Sequence, residues 1–137
     1  MQIRIADWQK DKAELTGIRR KVFIEEQQVP EDMEWDEYDD TSTHFLATLE
    51  DKTIATARLK PDGQIGRMAV LTEFRNQGIG SRLLQFVLQD ARNKNFKKIY
   101  LHAQVTALAF YDKHGFTAHG EIFYEADIPH RKMQLQA

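Results

Sequence analysis

Apolar positions alternate weakly over residues 2–7, with Ile3 and Ile5 on one face, and predict a short first strand. From residue 10 to 28 the spacing turns helical: Leu15, Ile18 and Val22 share a face, and Pro30 stops any continuation. Residues 31–40 are mostly acidic and predict a long loop. Two strands follow over 44–49 and 53–59, with Glu50-Asp51-Lys52 between them as a hairpin turn. Lys60-Pro61-Asp62-Gly63 is a turn, because proline presets φ and glycine accepts a positive one. A third strand then runs over about 64–71.

Residues 78–94 carry the clearest helical pattern. Ile79, Leu83, Leu84, Val87, Leu88 and Ala91 line one face, with Arg82, Gln85, Gln89 and Arg92 on another. A strand over 98–103, a short helix over about 106–114 ending at Gly115, and strands from Phe116 onward and over 132–136 complete the chain. The order is strand, helix, three strands, helix, strand, helix, strands. It predicts a mixed α/β or α+β fold in one domain, 1–137, because no repeat or low-complexity linker interrupts it.

Composition narrows the chemistry. The 137 residues are 42% hydrophobic and 29% charged, ordinary for a soluble globular protein. The formal charge of −2, from 19 basic and 21 acidic residues, gives no reason to expect a nucleic-acid binder, which normally shows a basic face. Zero cysteines exclude disulfides, thiolate metal sites and an acyl-cysteine intermediate. No apolar run approaches the roughly 20 residues of a membrane span, and residues 1–5 lack the apolar run of a signal peptide, so a cytoplasmic location is expected. No histidine–carboxylate spacing suggests zinc, and no metal is expected.

The junction between the third strand and the strongest helix reads Met68-Ala69-Val70-Leu71-Thr72-Glu73-Phe74-Arg75-Asn76-Gln77-Gly78-Ile79-Gly80-Ser81. Free N–H groups at a helix start, with the helix dipole behind them, favour a phosphate. Gly78 and Gly80 remove β-carbons that would hold a diphosphate away; Arg75 adds a cation and Ser81 a hydroxyl. The plainer reading is a tight strand-to-helix turn. The dinucleotide fingerprint fails at Leu83, and the Walker lysine is missing.

With these residues the chain resembles the GNAT superfamily of N-acetyltransferases. Their signature [RQ]-x-x-G-x-[GA] matches Arg75 to Gly80, and their A-x-x-[FL]-Y-x-x-x-G-F pattern matches Ala107, Phe110, Tyr111, Gly115 and Phe116. The resemblance narrows to the ElaA/YjcF-like branch through two further stretches. One is Arg19, Val22-Phe23-Ile24-Glu25-Glu26-Gln27, Val29-Pro30, Glu34, Asp36 and His44; the other is Gly120, Phe123, Glu125, Ile128-Pro129-His130 and Met133.

The resemblance implies a curved mixed sheet flanked by helices, with two parallel strands splayed apart where acetyl-CoA enters. Backbone groups of Met68 and Val70, beside Ala69, would pair with the pantetheine arm. Residues Arg75, Asn76, Gln77, Gly78, Ile79, Gly80 and Ser81 would surround the pyrophosphate, and Tyr111 would be the general acid at the sulfur. Two departures stand out. Gln64 occupies the place where many members carry a basic glutamate, and Gln104 the place of an asparagine on the acceptor-facing side.

Acetyl transfer needs an uncharged nucleophile, and an amine near pKa 10.4 must first lose a proton. Without cysteine, direct attack in a ternary complex is the expected order. Tyr111 is the acid or else packs with Phe110. Glu34 and Asp36 serve as base or as binders of a cationic acceptor, or else belong to a solvated loop. His44 and His130 are either proton relays or structural hydrogen-bonding groups. The expected activity is N-acetyl transfer to a primary amine, and its rival is a non-catalytic acyl-CoA-binding module of the same fold. The acceptor's identity and the oligomeric state are not legible in the sequence.

Overall fold

The structure is a computed structural model that describes residues 1–135. Gln136, expected in the last strand, and Ala137 lie outside the described residues. Seven strands, β1 (Gln2–Ala6), β2 (Thr43–Leu49), β3 (Lys52–Leu59), β4 (Gln64–Val70), β5 (Tyr100–Gln104), β6 (Phe116–Glu125) and β7 (Ile128–Leu135), form one sheet. Its order is β1-β2-β3-β4-β5-β7-β6. Every described pairing is antiparallel except β4 with β5, which is parallel.

Helix α3 (Ile79–Asn93) covers one face and buries the six apolar residues that its periodicity selects. They pack against Phe45, Ala47, Leu59, Ile65 and Leu101. Helix α1 (Lys12–Arg19) covers the other face, where Ile18 and Val22 pack on Ala69 and Leu71. Among the described residues no helix is long and apolar enough to cross a membrane.

The first helix differs from its sequence pattern at both ends. Asp7 accepts from the N–H groups of Gln9 and Lys10, and Asp11 accepts from that of Asp7, so short acidic side chains hold a turn ahead of the helix. After Arg19 the chain widens into a π-helix over Arg20–Glu26, closed where Gln27 N–H donates to the Val22 carbonyl at 3.1 Å.

The acidic stretch is not a plain loop either. Pro30 leads into α2 (Glu31–Glu34), a single turn. The final strands are longer than expected and meet at Ala126-Asp127, where both φ angles are positive. Glu50-Asp51 repeats that geometry between β2 and β3; positive φ at both central residues matches the twist of a two-residue hairpin. Gly63 is required for another reason: a β-carbon there would lie 2.0 Å from the Lys98 carbonyl oxygen.

Candidate active site

A bulge in β4 makes the site. Thr56 pairs with Ala69 but Arg58 pairs with Gly66, so Arg67 and Met68 together face Ala57. Arg67 takes the bulge at φ 48°. The strand bends, and parallel pairing with β5 covers only Gln64–Tyr100 and Ile65–Leu101. Beyond that point the two strands part. Leu71 N–H still donates to the Ile54 carbonyl of β3 at 2.9 Å. By alternation, the peptide groups of Met68 and Val70 turn away from β3 into the gap. The Val70 carbonyl accepts from Arg75 Nε at 2.8 Å.

The loop from Arg75 to Gly78 closes one end of the gap. Asn76 and Gly78 carry positive φ, 62° and 80°, and α3 begins at Ile79 without a side-chain cap. A β-carbon at Gly78 would meet nothing within 4 Å, whereas one at Gly80 would lie 3.5 Å from the Phe110 ring. Arg75 is not a free cation, because both its terminal nitrogens bind Glu26. Gln77 donates to the Glu73 carbonyl at 3.3 Å, and Ser81 shares a 3.1 Å hydrogen bond with His114 Nε2. An open first helical turn beside backbone that lacks a strand partner fits a diphosphate followed by an amide-bearing arm.

Helix α4 (Leu108–Asp112) delivers Tyr111 to the opposite side of the gap. Its hydroxyl lies 3.8 Å from Met68 Sδ, and its ring is fixed edge-on between Phe110 and Phe116. Burial pushes this phenol up to about 12, so it stays protonated and available as a donor. Gln104 donates to Gln27 at 2.9 Å, which ties β5 to the π-helix.

A cleft of about 620 Å³ runs from Tyr111 and Met68 to the acidic segment, within the size range of small-molecule sites. Glu34 and Asp36 both line it, Glu34 buried and Asp36 partly exposed in the loop after α2. Glu34 is 3% exposed and contacts Arg19 at 2.8 Å and Arg67 at 3.2 Å. Asp36 pairs with Arg58 at 2.7 Å and Arg67 at 3.1 Å, and Asp39 joins Arg19 at 2.8 Å to Arg58 at 3.0 Å. Three carboxylates thus alternate with three guanidiniums. Burial raises the Glu34 carboxyl against the pull of Arg67 and Arg19. For Asp36, which is less buried, burial also raises the carboxyl, but Arg58 and Arg67 bring it below its ordinary value.

His44 is 1% exposed, stacks on Trp8 and bonds the Asp39 carbonyl at 2.8 Å, which is the structural arrangement of its two readings. Gln64 offers no base, and its amide oxygen accepts from Lys60 at 3.1 Å. The sequence pattern did not single out Arg58, Arg67, His102 or a site for Glu125. A signal existed for His102: on β5 it alternates with buried Leu101 and Ala103 and so must face the cleft side. Among the described residues no group of three or more histidines and carboxylates could hold a metal ion.

A seven-stranded mixed sheet flanked by helices, with a parallel pair that splays over a phosphate-type loop, is the acyl-CoA N-acyltransferase fold. Residues 7–137 match the acetyltransferase (GNAT) domain, and the chain belongs to that family. Within it the chain falls in the ElaA/YjcF-like branch. It is 32% identical over 120 residues to the uncharacterized N-acetyltransferase YjcF of Bacillus subtilis (strain 168), covering 85% of this chain and 86% of that protein. Escherichia coli ElaA superposes with a TM-score of 0.90 at 27% identity, covering 99% of this chain and 100% of that one. A GNAT family acetyltransferase from Elizabethkingia anophelis, solved with acetyl-CoA bound, shares the fold at a TM-score of 0.70 and 24% identity, covering 97% of this chain and 94% of that one. The family's chemistry is acyl transfer from acyl-CoA.

Proposed function

We propose that this protein moves an acetyl group from acetyl-CoA to a primary amine by direct attack in a ternary complex. The observation that carries the reading is the gap between β4 and β5, with the Tyr111 hydroxyl 3.8 Å from Met68 Sδ at its edge. The pantetheine arm would lie in that gap against the peptide groups of Met68 and Val70, past Ala69. Its pyrophosphate would meet the N–H groups around Gly78, Ile79, Gly80 and Ser81, with Asn76 and Gln77 shaping the approach and Arg75 bracing the loop.

The thioester then lies near Tyr111. The amine nitrogen attacks the carbonyl carbon, the C–S bond breaks, nitrogen loses a proton and sulfur leaves. A phenol near 12 is roughly three orders of magnitude less acidic than a thiol near 8.5. Tyr111 therefore acts chiefly as a hydrogen-bond donor that stabilises charge on the leaving sulfur. Glu34 and Asp36 form the wall where the acceptor enters. Since arginines match both, they hold Arg67 in that wall and are poor acceptors for the amine's proton, and they meet the acceptor through hydrogen bonds rather than net charge. Gln104 lies along the pantetheine side of β5.

The absence of a carboxylate at Gln64 favours the second reading, an acyl-CoA-binding module without transfer. Incubation with acetyl-CoA over a library of primary amines separates the two. Amine-dependent release of CoA with formation of an acetylated amine supports the enzyme. Binding that raises the thermal midpoint without amine-dependent release supports the module.

A further inference from the structure

We propose that His102 is the group that takes the proton from the attacking amine, and that Glu125 is the positioning residue that fixes its imidazole. The inference rests on the acetyl-transfer reading of this cleft. His102 directly follows Leu101, the last β5 residue paired with β4, so its ring stands where the strands part. Leu101 and Ala103 point into the core, which turns His102 to the cleft that Tyr111 also lines.

Three neighbours fix the ring. Phe123 meets it edge-on at 5.0 Å, Tyr100 is tilted against it at 6.1 Å, and Glu125 Oε2 lies 3.4 Å from Nδ1. The imidazole side chain is 30% exposed, and among the described residues Nε2 makes no hydrogen bond. A carboxylate at Nδ1 selects the tautomer whose Nε2 carries a lone pair, the form a base needs.

Glu125 is itself oriented from behind. His130 stacks on Phe123, its Nδ1 lies 2.6 Å from the Ile128 carbonyl, and its Nε2 comes within 3.8 Å of Glu125 Oε1. The order His130, Glu125, His102 runs from β7 through the end of β6 to β5. The hydrogen bond from His102, with burial opposing it, holds the Glu125 carboxyl below its ordinary value. A carboxylate so held is a poor proton acceptor but a good partner for an imidazolium.

The other carboxylates and the lysine of the cleft are committed elsewhere. Glu34 and Asp36 are matched to arginines, and Lys60 Nζ donates to Gln64 and lies over the Tyr38 ring. Glu125 from β6 and Lys132 from β7 flank His102, with Tyr100 beside it on β5; His130 from β7 and Arg67 from β4 act on Glu125. Lys132 stands directly across the β5–β7 pair.

The amine proton passes to Nε2 while the new C–N bond forms, and the C–S bond breaks toward the sulfur facing Tyr111. The imidazolium proton then returns to the released thiolate or to water.

The test uses the full chain, acetyl-CoA and the primary amine that the wild type acetylates fastest in a library. His102→Gln should lower the single-turnover rate by about 10²–10⁴-fold and leave acetyl-CoA affinity unchanged. It should also leave an acid limb in the kcat/KM profile that follows the amine's own protonation alone, without a contribution from the enzyme. Glu125→Gln should slow transfer less, and the double variant should be no slower than His102→Gln alone, since the two act as one unit. Independently of turnover, ¹⁵N histidine spectra should show His102 as the Nδ1-protonated tautomer, lost in Glu125→Gln. An active wild type with equal rates and pH profiles in His102→Gln would overturn this assignment alone. A wild type that releases no CoA with any amine would overturn the acetyl-transfer reading as well.

Discussion

Arg75 grips Glu26 through both terminal nitrogens, at 2.6 and 2.7 Å, while its Nε holds the Val70 carbonyl. The arginine of the phosphate-loop signature therefore braces the loop against the π-helix, and its charge is already matched. Affinity for a diphosphate would then come mainly from backbone N–H groups and the helix dipole.

Glu26→Gln should uncover part of the Arg75 charge. Both partners are more than a third exposed, so the pair itself contributes only about 0–1 kcal/mol to stability. Acetyl-CoA should bind a few-fold more tightly at low ionic strength, and the gain should fade as salt screens it. Weaker binding at every salt concentration would mean that the pair's main work is to hold the loop in shape.

Gly80→Val tests the phosphate loop. The added β-carbon would lie 3.5 Å from the Phe110 ring and 3.8 Å from Met68 Cε, ordinary contact distances against flexible side chains, so the fold should survive. The added methyl groups would also project where the first turn of α3 must meet the diphosphate. The rise in thermal midpoint that acetyl-CoA gives the wild type should vanish, with the midpoint of the free protein changed little. A preserved ligand-induced shift would place the diphosphate elsewhere.

Stability should depend on the buried network. Arg19 is 1% exposed and holds both Glu34 and Asp39, so Arg19→Ala leaves two buried carboxylates short of a partner. The expected loss is about 3–5 kcal/mol in urea unfolding. The pH dependence has two opposing parts. Asp36 and Asp39 feel strong burial, yet their arginines hold the folded-state pKa below the unfolded value. They stabilise the fold above the unfolded pKa, and that share is lost as pH falls through the folded one. Glu34 is raised by burial, so its share is present below its unfolded pKa and is lost as pH rises through the folded one. Glu34→Gln should therefore make the acid loss of stability steeper than in the wild type. An unchanged or shallower acid limb would show that Glu34 gains no proton on the way down.

The sequence carried α3 almost completely, because six apolar residues at helical spacing leave one face to bury. It also carried the loop after β4, where glycine positions and the following helix reinforce each other. The bulge at Arg67 was not legible. Nothing in the local pattern announces an extra residue in β4, yet that residue parts the strands and opens the site. The acidic segment misled for a similar reason. Glu34 and Asp39 are buried and Asp36 is partly buried because Arg19, Arg58 and Arg67 come to them from α1, β3 and β4, and spacing along one segment cannot show partners that distant in sequence. His102 was within reach through strand alternation, but its partner Glu125 lies two strands away.

The central claim is that the Tyr111 hydroxyl assists transfer of an acetyl group from acetyl-CoA to an amine in this gap. The most direct measurement is single-turnover acetylation of the best library amine by wild type and Tyr111→Phe, with acetyl-CoA affinity measured alongside. Wild type should form the acetylated amine and release one CoA for each. Tyr111→Phe should bind acetyl-CoA nearly as well but react about 10²–10³-fold more slowly, the usual cost of losing one donor aimed at developing charge. Equal rates in the two proteins, or a wild type that binds acetyl-CoA and acetylates no amine, would contradict the account.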